Sequence, residues 1–141
     1  MNDAELMYLA IQEAKKSKEW LKCGAVIAKT GELISKSENF TTASKDSSAH
    51  AEINALRKAG EKLGTKVLDG CTLYATCEPC IMCLSAIGYS RMEKVFYGAS
   101  LRNVSPKEKI IDFSIDEFLQ RSPFKFKIEQ LMEKECMQLY C

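Results

Sequence analysis

Apolar and polar positions change their period several times along this chain, and each change marks an element. From Ala4 to Lys18, Met7, Ala10, Ile11 and Ala14 recur at helical spacing, with Leu6 and Leu9 widening the stripe. Asp3 is the expected N-cap. Cys23 to Lys29 is a small and β-branched run, Thr30-Gly31-Glu32 is a turn, and Leu33 to Glu38 is a second, weaker strand. Together they predict a hairpin. Asn39 to Ser48 is polar and reads as a loop ending in a cap, Ser47 or Ser48, for a helix from Ala49 to about Ala59. That helix would bury Ile53, Leu56 and Ala59 and stop at Gly60 or Gly64.

Cys71 to Thr76 predicts a third strand and Pro79 to Tyr89 a third helix, because proline suits a first helical position. Val95 to Tyr97 predicts a fourth strand. Ser114-Ile115-Asp116-Glu117 has the form of a capping box for a short helix stopped by Ser122-Pro123. Phe124, Phe126 and Ile128 alternate as a strand, and Leu131, Met132, Cys136, Leu139 and Tyr140 suit a final helix. Helices alternating with strands after a hairpin predict a three-layer α/β/α domain on a mixed five-stranded sheet. A helix lies between the fourth and fifth strands, and parallel neighbours need such a crossover, so the last two strands are expected to be parallel.

The 141 residues, without repeats or linkers, suit one domain over 1–141. No apolar run approaches the ~20 residues of a membrane span, and the polar start lacks the order of a signal peptide, so a cytoplasmic location is expected. The net charge of +1 gives no support for strong electrostatic binding to nucleic acid. Seven cysteines, an odd number with three crowded at 77, 80 and 83, argue against a secreted disulfide framework. Metal binding and buried thiols are the better readings.

Cys80 and Cys83 lie three apart at the start of a helix, where the partial positive charge should let both ionise. Thiolates are zinc ligands, and the single histidine, His50, supplies a third donor. Three readings compete. His50, Cys80 and Cys83 hold zinc with an open fourth position; or Cys77 closes that position and the zinc is structural, making an interaction domain without catalysis; or the three thiols bind an iron–sulfur cluster, for which Ser90 onward supplies no near fourth cysteine. Glu52, two residues after His50, favours the first, because a zinc-activated water needs a proton carrier and a structural site does not.

His50-Ala51-Glu52 followed by Pro79-Cys80-Ile81-Met82-Cys83 resembles the cytidine and deoxycytidylate deaminase superfamily, whose motif this is. The resemblance runs from about Cys23 to Gly98. It implies a zinc-dependent deaminase with a cytidine-deaminase-like fold. His50, Cys80 and Cys83 would be the ligands and Glu52 the proton shuttle, with ammonia leaving from an amino-bearing ring carbon. It further implies that Asn39 and the backbone N–H of Ala51 hold the base, and that the protein is a homodimer. The parallel last strands resemble the tRNA adenosine, guanine and cytosine deaminase branches. The Asn39–Asp46 loop and Cys77-Glu78-Pro79-Cys80 resemble guanine deaminases, so guanine is the first substrate expected, with tRNA adenosine and cytosine or dCMP as alternatives. The segment before Cys23 and the C-terminus depart from the guanine deaminase pattern. That C-terminus is not strongly basic, which disfavours tRNA. Asp112 and Asp116 are candidate partners for guanine's second amino group. Trp20 reads as a core or interface anchor rather than a pocket residue. Tyr140 reads as helix packing rather than closure of a neighbour's site, Cys136 as a core thiol and Cys141 as an exposed end.

Overall fold

The structure, a computed structural model, describes residues 1–140. Cys141 lies outside them. Helix α1 (Asp3–Lys16) leads into the hairpin β1 (Gly24–Lys29) and β2 (Glu32–Glu38). A single helical turn, α2 (Thr41–Ser44), interrupts the loop before α3 (Ala51–Leu63). Then follow β3 (Cys71–Cys77), α4 (Ile81–Tyr89), β4 (Lys94–Ala99), a short α5 (Leu101–Val104), α6 (Ile115–Arg121), β5 (Lys127–Gln130) and α7 (Glu133–Met137). The sheet order is β2-β1-β3-β4-β5. β1 pairs antiparallel with both β2 and β3, while β3, β4 and β5 are parallel. The three-layer mixed sheet and its parallel last strands are as the sequence pattern implies. No helix among the described residues is long and apolar enough to cross a membrane.

The pleat of β1 and β3 explains the layers. Ala25, Ile27, Cys71 and Leu73 point to one face, where Ala51, Ala55, Ala59, Leu84 and Ile87 from α3 and α4 close over them. Val26, Ala28 and Tyr74 point to the other, against Leu6, Met7 and Ala10 of α1 and Cys136 of α7. A strand covered on both faces must be apolar where it is covered, as β1 is from Gly24 to Ala28. Ile27, Leu73, Leu84 and Ile87 are almost fully buried, and each contributes about 1.5–3 kcal/mol. Gly24 is where α1 crosses the sheet, and a Cβ there would run into the Ala10 carbonyl and the Ala14 amide. Gly98 makes the same room for the Cys136 side chain.

Several boundaries shift, each for a local reason. Asn2 rather than Asp3 caps α1, accepting from the Glu5 N–H at 2.8 Å. Neither Ser47 nor Ser48 caps α3, because the Ser48 amide and hydroxyl both donate to the Asp46 carboxylate; His50 occupies the N-cap instead. The fully buried apolar stripe of α3 is therefore Ala51, Ala55 and Ala59, with Ile53 and Leu56 half-buried at its side. Pro79 is not the first residue of α4. The Glu78 N–H still donates to Ala99 at 2.8 Å, beyond the end of the β3–β4 ladder, so Cys80 becomes the N-cap. Phe124 and Phe126 precede β5, although Phe126 is buried as the alternation suggests. Met132 sits in the left-handed region, which delays the final helix to Glu133, and a 3-10 turn carries Gln138–Tyr140. The capping box at Ser114 and Glu117 is present in full, and Ser122 ends that helix.

Candidate active site

Two helix N-termini meet at the site. β2 and its loop deliver His50 to the N-cap of α3, and β3 delivers Cys80 to the N-cap of α4. Neither cap residue uses its side chain to bond its own helix, so both are free to face across the gap. His50 Nδ1 stands 3.7 Å from Cys80 Sγ and 3.6 Å from Cys83 Sγ, and the two sulfurs are 3.8 Å apart. Ligands at about 2.3 Å (sulfur) and about 2.0–2.1 Å (nitrogen) around a tetrahedral ion would stand about 3.8 Å (S–S) and about 3.6 Å (S–N) apart. The three donors already form that triangle, so the donor set fits zinc and leaves the fourth corner to something else. Cys77 does not belong to the cluster of potential ligands. It ends β3 on the same face as Leu73 and Ala75, with its sulfur outside the three-donor group, which speaks against the four-ligand structural reading and the three-thiol cluster.

The electrostatics are those of groups sharing protons. The hydrogen bond from Cys83, aided by His50, holds the Cys80 thiol well below the usual range despite burial. The same bond and burial push Cys83 well up. The expectation that both thiols ionise alike thus fails for the pair alone, because one sulfur keeps the proton that stabilises the other. Bonding to Cys80 raises His50. With a divalent cation in place of those protons, Cys80 and Cys83 would both be held as thiolates. Glu52, in the first turn of α3, is 6% exposed. Burial, with the charge of Cys80 behind it, pushes its carboxyl up to about 7.

A cavity of about 540 Å³ opens over these residues, lined by His50, Ala51, Glu52 and Cys80 on one side and by Asn39, Thr41 and Thr42 on another. The Asn39 side chain is already bonded: its Nδ2 donates to the Leu21 carbonyl at 2.6 Å and its Oδ1 accepts from the Cys23 N–H at 2.9 Å. One N–H and one lone pair of that amide remain for a ligand. The Ala51 N–H, at the first position of α3, has no carbonyl one turn back in the helix.

Other wall residues escape sequence reading. Glu19 accepts from the Thr41 hydroxyl and the Thr42 N–H, at 2.9 and 2.6 Å, and so ties the segment after α1 to the α2 loop. Glu78 accepts from the Leu101 N–H at 3.2 Å; its place inside Cys77-Glu78-Pro79-Cys80 was the one signal available. Trp20 is not a core residue. It is 73% exposed at the cavity, with Lys109 over its ring at 5.5 Å, and Ile110 and Ile111 also line the wall. Asp112 and Asp116 do not line it. Asp112 pairs with Arg102, and both aspartates face a separate cavity beyond the wall of Leu101, Ile110 and Ile111. The acids that face the ligand space are Glu19, Glu52 and Glu78. Tyr140 packs within its own chain, its hydroxyl 2.9 Å from Thr76 Oγ1 and 3.7 Å from Cys23 Sγ.

The family described as the cytidine and deoxycytidylate deaminase zinc-binding region matches residues 1–99. A tRNA-specific adenosine deaminase of Aquifex aeolicus is 46% identical over 101 residues, covering 70% of this chain and 67% of that protein. The guanine deaminase of Bacillus subtilis is 53% identical over 76 residues, covering 54% of this chain and 49% of that protein. Among solved structures, one from a study of A-to-I editing by tRNA:A34 deaminases superposes with a TM-score of 0.82 at 34% identity, covering 96% of this chain and 99% of that one. The Bacillus subtilis guanine deaminase structure gives 0.72 at 34%, covering 98% and 90%.

Proposed function

This chain belongs to the cytidine and deoxycytidylate deaminase family and is a zinc-dependent hydrolytic deaminase; from that premise we propose that His50, Cys80 and Cys83 hold the zinc, that Glu52 carries the protons, and that the substrate is an aminopurine. The observation that carries the reading is the His50–Cys80–Cys83 triangle, whose edges match a tetrahedral zinc site with one corner open to the cavity.

When bound, zinc supplies a Lewis acid that brings the acidity of a water near neutrality. The chain's own residues do the rest. Glu52 Oε takes the proton of the attacking water and passes it to the ring nitrogen beside the amino-bearing carbon. It then supports protonation of the departing ammonia. Such a shuttle must accept and donate at the working pH, and a carboxyl pushed up to about 7 by burial does both. Asn39 holds the ring edge with its remaining N–H and lone pair, and the Ala51 N–H holds a second edge atom. Leu21, Met82, Leu101 and Ile110 supply apolar wall that keeps bulk water from the reacting atoms.

Guanine stands first on the 53% identity to a guanine deaminase over 76 residues, together with the likeness of the Asn39–Asp46 loop and Cys77-Glu78-Pro79-Cys80 to guanine deaminases. With Asp112 and Asp116 outside the cavity, Glu19 or Glu78 would meet guanine's second amino group. Adenosine in tRNA is the second reading. It is supported by the exposed Trp20 at the cavity and by the near-complete overlap with the tRNA:A34 deaminase structure. An ammonia-release panel of guanine, adenine, cytosine, their nucleosides, dCMP and a tRNA anticodon stem decides. A site that bonds its substrate's own groups rejects an analogue lacking them by about 10⁴-fold, so one substrate should dominate. Turnover of the anticodon stem with guanine untouched selects the second reading, and turnover of cytosine or dCMP alone overturns the aminopurine assignment. Assembly as a homodimer is part of the proposal. The apolar surface of Ile81, Tyr89, Phe113 and Phe124 along α4 and α6 is its natural contact.

A further inference from the structure

Four of the six described cysteines are accounted for. Cys80 and Cys83 belong to the metal triangle, and Cys71 and Cys136 are packed inside the two cores. Cys23 and Cys77 remain, and the sheet register brings them together. Along β1 and β3 the antiparallel partners are Ala25 and Ala75, Val26 and Tyr74, Ile27 and Leu73. Carried two residues past Ala25, the same register sets Cys23 opposite Cys77.

The backbone bonding says which kind of pair this is. The Cys23 N–H donates to Asn39 Oδ1, and the Cys23 carbonyl accepts from the Asn39 N–H. Both backbone groups of Cys23 therefore point toward the β2 side and away from β3. Gly24 is turned the other way, its N–H donating to Thr76 Oγ1 on β3 at 3.0 Å. Opposite β3, then, Cys23 occupies a non-hydrogen-bonded position, where facing Cα atoms lie about 4.5 Å apart and side chains come closest. By the pleat both side chains leave the sheet on the α3 and α4 face, and both line the cavity. The neighbouring Cys23, with burial, pushes the Cys77 thiol well above the usual range. Tyr140 Oη lies 3.7 Å from Cys23 Sγ.

We propose that Cys23 and Cys77 are a redox modification site, closing to a reversible disulfide when a hydroperoxide enters the substrate cavity, while the metal-ligand thiols stay reduced. The Cys23 sulfur attacks one peroxide oxygen and the O–O bond breaks. An alcohol leaves, or water when the oxidant is hydrogen peroxide, and a sulfenic acid remains on Cys23. The Cys77 sulfur then displaces that hydroxyl as a second water, taking up the Cys77 proton. Two thiols give up two electrons and two protons, and one peroxide bond is reduced. A Cα separation of about 4.5 Å is at the short end of the range disulfides span, so the bond carries strain and is easily reduced.

The test uses the full chain loaded with zinc and graded hydrogen peroxide, followed by alkylation of free thiols and digestion with trypsin. The expected product joins the peptide Cys23–Lys29 to the peptide Val67–Arg91, with fragmentation placing the bond on Cys77. Intact protein should lose the mass of two hydrogens, keep its zinc, and return to the starting mass in dithiothreitol. Cys23→Ser and Cys77→Ser should each remove the link, and the mapping in the native sequence stands even where a variant folds poorly. A bond between Cys80 and Cys83 with zinc released, or oxygen added to Cys23 while Cys77 remains alkylatable, overturns the assignment. Neither readout depends on turnover, so the result is separable from the deaminase reading.

Discussion

Glu52 and Cys77 carry the opposing readings of this site at the level of single residues. Glu52 is buried with its carboxyl pushed up to about 7, a position that suits a proton carrier and gains a packed side chain nothing. Glu52→Gln keeps the shape and removes the exchangeable proton. Ammonia release should fall by about 10²–10⁴-fold, while zinc measured by elemental analysis stays unchanged; unaltered turnover would return the protein to the class of non-catalytic zinc modules. The thiols divide in the same way. Cys80→Ala should empty the site of zinc, whereas Cys77→Ala should keep about one ion per chain, because only three donors form the triangle. Equal loss from both would sink the open-site reading. Much at this scale was legible: His50, Glu52, Cys80 and Cys83 announce themselves by type and spacing. Asn39 was legible as a candidate, and it lines the cavity, but not as the tie that also holds Leu21 and Cys23, since those bonds join positions far apart in sequence. Asp112 and Asp116 show the converse. An acidic side chain near a site in sequence says nothing about which side of a wall it faces.

Elements announce themselves where the local chemistry is closed within a few residues. The capping box of α6 needed only Ser114 and Glu117, and both halves are made. Ser114→Ala should therefore cost about 1 kcal/mol, read as a lower denaturant midpoint with turnover per folded molecule nearly unchanged. The start of α4 was misread because Pro79 fits a first helical position, yet the backbone bond from Glu78 to Ala99 holds the chain extended until Cys80. That bond is a tertiary fact. Gly24 is another, a glycine at the first position of β1, required by the backbone of α1 above it. Gly24→Ala should lift α1 off the sheet and destabilise by about 3 kcal/mol, seen as a fall in melting temperature; a variant as stable as the parent would mean the helix crosses elsewhere.

For the whole molecule, the order of helices and strands was enough to give the layers and the parallel strands, because a crossover helix leaves few other arrangements. The cavity wall was not available from that order. It is assembled from the segment after α1, the α2 loop and the stretch around Lys109–Ile111, three irregular pieces with no periodicity to read. Assembly is tested at this scale. Light scattering at micromolar concentration should give a dimer mass, and Tyr89→Asp, placing charge on a residue 74% exposed beside Phe124, should give a monomer. A native monomer would remove the dimer. Zinc that prefers the folded site stabilises the fold, by at most about 4 kcal/mol at a thousand times its Kd, and by less where the thiols of the unfolded chain also take it up. Chelation should accordingly lower the melting temperature without altering the unfolded baseline.

The two cap positions at the site have a consequence for how this sequence can change. His50 and Cys80 stand where helices favour Ser, Asp or Asn, and neither bonds the amides beneath it. His50→Asp and Cys80→Asp would each add a cap worth about 1 kcal/mol to the bare fold. Any procedure that rewards folding alone, such as a sequence-design calculation on this backbone, is therefore pulled toward erasing the chemistry first. Natural drift meets the same gradient, and only selection on the reaction itself opposes it. A chain of this family that has gained an acidic residue at either position is best read as one that kept the scaffold and gave up the enzyme.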